Sequence, residues 1–269
     1  HPVTSERCLF PSDTVRARFR IPGLFKWQMS RSQGKTRCPM ALWRILWMLS
    51  AVFMGCVVGD IDCFCGGNVI SERIVNGDAS PPGSHPWHVA LQFHVLDQWI
   101  TYCGGVLITE RHILTTAHCD RPGPLVMLRV KLGVISLEES GTVRGIISFT
   151  KHPKYQEGKM FNNDIAVVKV EGNVPLNNAV HPACVPLNLQ YEPFADKVAV
   201  LTGFGTQAEN SPMYSTSLRE TEVTILPPGE CLNVTGKDLT DNMLCAYADG
   251  KDACGGDSGG PLVYTDDDG

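Results

Sequence analysis

The chain has 269 residues, of which 43% are hydrophobic and 19% charged. That composition excludes a disordered tail and supplies a core for one large domain or two small ones. The net charge of -5 is uneven: +6 over residues 1–39, -1 over 40–73 and -10 over 74–269. The acidic main body excludes a basic phosphate-gripping face, so no nucleic-acid partner is expected. Eleven cysteines point to an oxidising compartment, and the odd count leaves at least one without a partner in the chain.

Residues 1–39 show no apolar periodicity and offer no evident partner for Cys8 or Cys38. They read as a disordered or non-coding segment upstream of the true start at Met40. Arg44 is followed by 15 uncharged residues, Ile45 to Gly59. A spanning helix needs about 18 or more such residues, whereas a signal peptide needs a shorter apolar core behind a positive charge. Residues 40–59 are therefore expected to be a secretory signal, favoured over a signal-anchor, with Val57 and Gly59 as the small-residue pattern before the cut. Secretion follows as the expected destination.

From residue 74 onward the chain is a series of short apolar runs punctuated by Gly, Pro and Asn. They include Trp87–Phe93, Val106–Thr109, Val126–Leu132, Ile165–Val170, Lys197–Leu201 and Glu222–Leu226. Long helical periodicity and fixed-period repeats are missing, so the spacing predicts an all-β sandwich or barrel. Leu262-Val263-Tyr264 reads as a strand, and the Asp-Gly after it as a hairpin turn. The second strand of that hairpin would begin where the sequence stops, so the second half is expected to be truncated and the chain as written inactive.

Three segments carry chemistry: Leu114-Thr115-Thr116-Ala117-His118-Cys119, Asn163-Asp164-Ile165-Ala166-Val167-Val168, and Asp252-Ala253-Cys254-Gly255-Gly256-Asp257-Ser258-Gly259-Gly260-Pro261-Leu262. A lone His, Asp or Ser means little, and His112, His152 and His181 receive no role. Gly-Gly-Asp-Ser-Gly-Gly alone could be a turn. All three segments in the order His, Asp, Ser form a specific pattern. A Ser hydroxyl is a poor nucleophile at neutral pH and needs an adjacent base, for which imidazole is suited.

These segments resemble those of the trypsin/chymotrypsin family of serine proteases, and the likeness runs from about Cys65 to Gly269. It implies two antiparallel Greek-key β-barrels with the active site between them: 74–185 as the first barrel, 186–269 as a second, incomplete one, and 60–73 as a propeptide. It implies His118 as general base, Asp164 as the group that holds its tautomer, and Ser258 as nucleophile. The backbone N–H groups of Gly256 and Ser258 would form the oxyanion hole. Asp252, six residues before Ser258, matches the specificity position and would select Arg or Lys by charge.

The same resemblance makes Arg73-Ile74 an activation site. Cleavage there would free the Ile74 ammonium to pair with Asp257, so the protein would be made as a zymogen cut by a trypsin-like activator. It also implies the disulfides Cys103–Cys119, Cys231–Cys245 and Cys65–Cys184, the last tethering the propeptide. A further family bridge is missing, because its positions are Ala199 and Tyr264. Cys254 would pair beyond Gly269, Cys56 lies in the signal, and Cys63 is left unexplained. Asn233-Val234-Thr235 is a glycosylation sequon. Val134 stands where calcium-binding relatives carry an acidic residue, so no metal or other cofactor is expected. Expected partners are protein or peptide substrates, the activating protease and protein inhibitors. The competing reading is a non-catalytic homologue that acts by binding.

Overall fold

The structure, a computed structural model, describes residues 15–17, 65, 80–185, 194–206, 214–227, 229–231, 239–249 and 255–265. Eleven strands occur among them: β1 (Val15–Ala17), β2 (His88–Val95), β3 (Gln98–Thr109), β4 (His112–Thr115), β5 (Leu128–Leu132), β6 (Thr142–Lys151), β7 (Ala166–Val170), β8 (Val198–Gly203), β9 (Arg219–Leu226), β10 (Met243–Tyr247) and β11 (Leu262–Val263). The protein is mostly β, as the run spacing predicts. The runs named from the sequence do not include β1, β4, β6 or β10; β6 mixes polar residues among its apolar ones, and β10 is a run of only five residues.

Strands β2 to β7 close into an antiparallel barrel in the order β2-β3-β4-β7-β6-β5. β5 returns to pair with β2, the return step of a Greek key. Register shifts at Leu91/Gln92, Leu107/Thr109 and Ile146/Ser148 insert extra residues, and such bulges supply the bend that closure requires. Side chains alternate in and out along β7: Ala166, Val168 and Val170 are buried while Val167 and Lys169 face outward. The core is filled by Val89, Leu91, Leu107, Ile113, Val130 and Val168, each fully buried. One expected run is corrected at its start: Val126 and Met127 belong to a 3-10 turn, Leu125–Met127, and Val126 is exposed. Pro124 just before that turn accepts from Met127 N at 3.0 Å, which closes the turn ahead of β5.

The second half forms a five-stranded sheet in the order β1-β10-β9-β8-β11, a half-barrel that does not close among the described residues. β8 and β9 share six register pairs, whereas β11 contributes two. Residues 15–17, the described part of the segment 1–39, form β1, antiparallel to β10, with Val15 opposite Cys245 and Ala17 opposite Met243. The pairing covers the edge of β10 that would otherwise present unpaired backbone groups.

Two kinds of contact join the halves. Phe204 and Leu218 pack against Ala90 and Val134 in a shared apolar cluster. Backbone bonds from Leu137 N to Thr216 O (2.7 Å) and from Leu218 N to Ile135 O (2.7 Å) stitch the seam. His88 of β2 adds a buried bond to the Thr202 hydroxyl of β8, Nδ1 to Oγ1 at 3.0 Å.

Candidate active site

β4 runs toward the seam and β7 runs away from it, with Thr115 opposite Ala166 in the ladder. A residue shortly after Thr115 and one shortly before Ala166 therefore emerge side by side. Those residues are His118, on the 3-10 turn Ala117–Cys119, and Asp164. The Asp164 carboxylate takes two bonds from one residue: the backbone N–H of His118 donates to Oδ1 at 2.9 Å, and Nδ1 meets Oδ2 at 2.6 Å. A carboxylate can only accept, so Nδ1 carries the proton and Nε2 is left as the basic nitrogen. Asp164 is 7% exposed. The two bonds offset the desolvation of its charge.

Ser258 lies on the loop leading into β11. Its carbonyl accepts from Gly104 N of β3 at 2.7 Å. Gly104 is bonded in sequence to Cys103, whose disulfide partner Cys119 follows His118. The Cys119 sulfur sits 3.7 Å from the Ser258 carbonyl oxygen. One disulfide thus anchors both the residue after the imidazole and the strand that pins the serine loop.

Two glycines of that loop are required by geometry. Gly256 has φ +98°, and a Cβ there would lie 2.7 Å from two ring carbons of Tyr214. Gly259 has φ +80°, and a Cβ there would strike Thr115 Oγ1. Non-glycine residues avoid such φ values. Between them, Asp257 turns its carboxylate toward β8 and its exit, where Gly205 N donates to Oδ1 at 2.7 Å.

The structure thus brings His118 and Asp164 into direct contact and sets Ser258 and Gly256 against β3 and Tyr214. Arg73, Ile74, Asp252, Asn233, Cys56, Cys63 and Cys254 lie outside the described residues, as does the segment 40–59. No helix among the described residues is long and apolar enough to cross a membrane. The three disulfides Cys103–Cys119, Cys231–Cys245 and Cys65–Cys184 are all formed. Cross-links of this kind each contribute about 2–4 kcal/mol. At the positions of the missing bridge, Ala199 is buried and the Tyr264 ring meets Phe194 edge-on at 5.9 Å.

Two residues near the site went unnoticed in the sequence. Phe161 presents its ring edge-on to His118, centroids 5.8 Å apart, and Tyr214 covers Gly256. Phe161 lies three positions before Asp164, which was the available signal; Tyr214 had none, since only folding brings it to the serine loop.

Cys103, His118 and Cys119 gather their ligand atoms within 4.8 Å of one another. Both sulfurs are committed to the disulfide, so no thiolate is offered to a metal. In the 133–141 loop, where an acidic calcium ligand was sought, Lys131 donates from Nζ to Leu137 O at 2.8 Å. Desolvation lowers the pKa of this ammonium, as does Arg129, while Glu139 opposes them. Two buried groups stay neutral. Burial, aided by His85, takes His88 down to about 3, and burial pushes the Tyr102 phenol up to about 12 against the pull of Arg121.

The bonded His118–Asp164 pair and the glycine-framed serine loop both lie at the seam of the two β units. A family model described as Trypsin matches residues 74–267. The chain belongs to the trypsin family of serine proteases. It is 32% identical over 211 residues to trypsin alpha of Drosophila melanogaster, an alignment covering 75% of this chain and 79% of that protein. It is 35% identical over 198 residues to ovochymase of Halocynthia roretzi (72% of this chain, 12% of that protein). It is 34% identical over 211 residues to the proclotting enzyme of Tachypleus tridentatus (73% and 56%). The chain thus spans a small part of the second relative and just over half of the third.

Proposed function

We propose that the protein is a secreted serine endopeptidase that cleaves after Arg or Lys and is made as a zymogen activated between Arg73 and Ile74. The observation that carries the reading is the bidentate Asp164–His118 contact, which leaves Nε2 as the base. The mechanism is the family's, carried onto these residues. His118 takes the proton of Ser258 as its oxygen attacks the scissile carbonyl, and returns it to the leaving amine. Asp164 stabilises the imidazolium formed in between. The N–H groups of Gly256 and Ser258 hold the oxyanion, each contributing about 3 kcal/mol to lowering the barrier. Asp252 sets the preference for a basic side chain. The Ile74 ammonium, once freed, pairs with Asp257 and fixes the loop. Its substrates are proteins or peptides, and its other partners are a trypsin-like activator and protein inhibitors.

The test is limited trypsin treatment followed by N-terminal sequencing and a library of fluorogenic peptides. The reading expects a new terminus at Ile74 and hydrolysis confined to Arg or Lys, both lost in Arg73→Gln. Hydrolysis confined to other residues would overturn the Asp252 assignment. A correctly cut protein that hydrolyses nothing would overturn the enzyme reading in favour of a homologue that acts by binding.

A further inference from the structure

The segment between β6 and β7 delivers both Phe161 and Asp164 to His118, and its backbone is unusual. Phe161 has φ 60° and Asn163 has φ 55°, so two non-glycine residues in the left-handed region flank Asn162. Such residues persist only where the surroundings over-determine them. Asn162 is where the surroundings take hold. Its Nδ2 donates to Glu157 O at 2.7 Å, and its backbone carbonyl accepts from Gln156 N at 2.8 Å, which folds the loop on itself. Its Oδ1 accepts from Thr240 Oγ1 at 2.8 Å and from Asn242 Nδ2 at 3.2 Å. Both lone pairs of one amide oxygen are thus filled from the other half of the molecule. Thr240 and Asn242 immediately precede β10, whose Cys245 is cross-linked to Cys231.

We propose that Asn162 is a positioning residue for the catalytic pair: its bonds to Thr240 and Asn242 clasp the two halves and fix the angle at which Phe161 and Asp164 face His118. The proposal rests on the reading that His118 and Asp164 serve catalysis. The clasp has the needed reach, because Asn162 adjoins Phe161 directly and precedes Asp164 by two residues. A loop released at Asn162 would rotate around the two strained neighbours, and misplacement of a catalytic group by a fraction of an ångström lowers rate before it lowers affinity.

The experiment measures phosphonylation of Ser258 by a fluorophosphonate in the activated protein, separating the maximal rate, the inhibitor's half-saturation and the final amount labelled. Thr240→Val, which removes the hydroxyl, is expected to slow the maximal rate about ten-fold with half-saturation and final amount unchanged. Thr240→Ser, which keeps the hydroxyl, is expected to restore the rate. A loss confined to the final amount would mark Thr240 as merely structural and overturn the proposal. So would equal rates in wild type, Thr240→Val and the Thr240→Val/Asn242→Ala pair. Failure of the wild type itself to label would instead strike the enzyme reading beneath it.

Discussion

The two halves of the molecule are held together by different means. The first is a closed barrel in which every strand from β2 to β7 has a neighbour on both sides. The second, among the described residues, is an open sheet whose edges are the short β11 and the three-residue β1. His118 and Asp164 come from the closed half and the serine loop from the open one. The difference teaches that the serine loop borrows its rigidity. Ser258 is bonded to Gly104 of the barrel, and Asp257 to Gly205 at the seam. Closure makes each barrel strand costly to disturb, whereas sheet edges open at low cost.

The sharpest way to test that contrast is a paired truncation. Leu107→Ala, at a fully buried site in the barrel core, is expected to cost about 3 kcal/mol, because it removes burial and leaves a cavity. Leu262→Ala in half-buried β11 is expected to cost about 1 kcal/mol. Denaturant unfolding measures both, and equal costs would break the comparison.

Acidification should strike the seam rather than either half. His88 is buried neutral with its pKa near 3, below the 6.5 of an exposed histidine. The unfolded chain therefore takes up a proton that the folded one refuses. The stability this histidine carries is full above pH 6.5 and is lost as pH falls from 6.5 toward 3. The loss amounts to about 2 kcal/mol by pH 5. In unfolding titrations His88→Gln should flatten the slope over that range, and an unchanged slope would contradict the assignment.

The smallest effect is expected on the barrel's surface. Lys151 and Asp120 pair at 2.9 Å, with side chains 45% and 26% exposed. Asp120→Asn should change stability by less than about 1 kcal/mol, and less again at high salt. A larger loss would place Asp120 in the site's support rather than on its surface.

Much of this was legible in the residues themselves. The three segments that carry His118, Asp164 and Ser258 were specific when taken together, and the apolar runs marked most strands. Where the reading fell short, the missing information was tertiary. β6 mixes polar and apolar residues and β10 is a short apolar run, and the inner face of each is defined only by the sheet it joins. Val126 looked like strand but is turned outward by the 3-10 turn after Pro124. Asn162, Thr240 and Asn242 are ordinary loop residues until folding brings positions some 80 residues apart within hydrogen-bond distance. β1 could not be read at all, because three extended residues have no pattern and gain a partner only from the edge of β10.

The most direct test of the account is the rate at which a fluorophosphonate modifies Ser258 in the activated wild type, His118→Ala and Asp164→Asn. If the contact between Asp164 and His118 makes Ser258 a nucleophile, the wild type is modified rapidly, against the inactivity expected from the sequence. Both variants then fall by about three to four orders of magnitude, as removal of one member of such a triad does. Modification of all three at one common rate would show that Ser258 reacts without the pair, and would contradict the account.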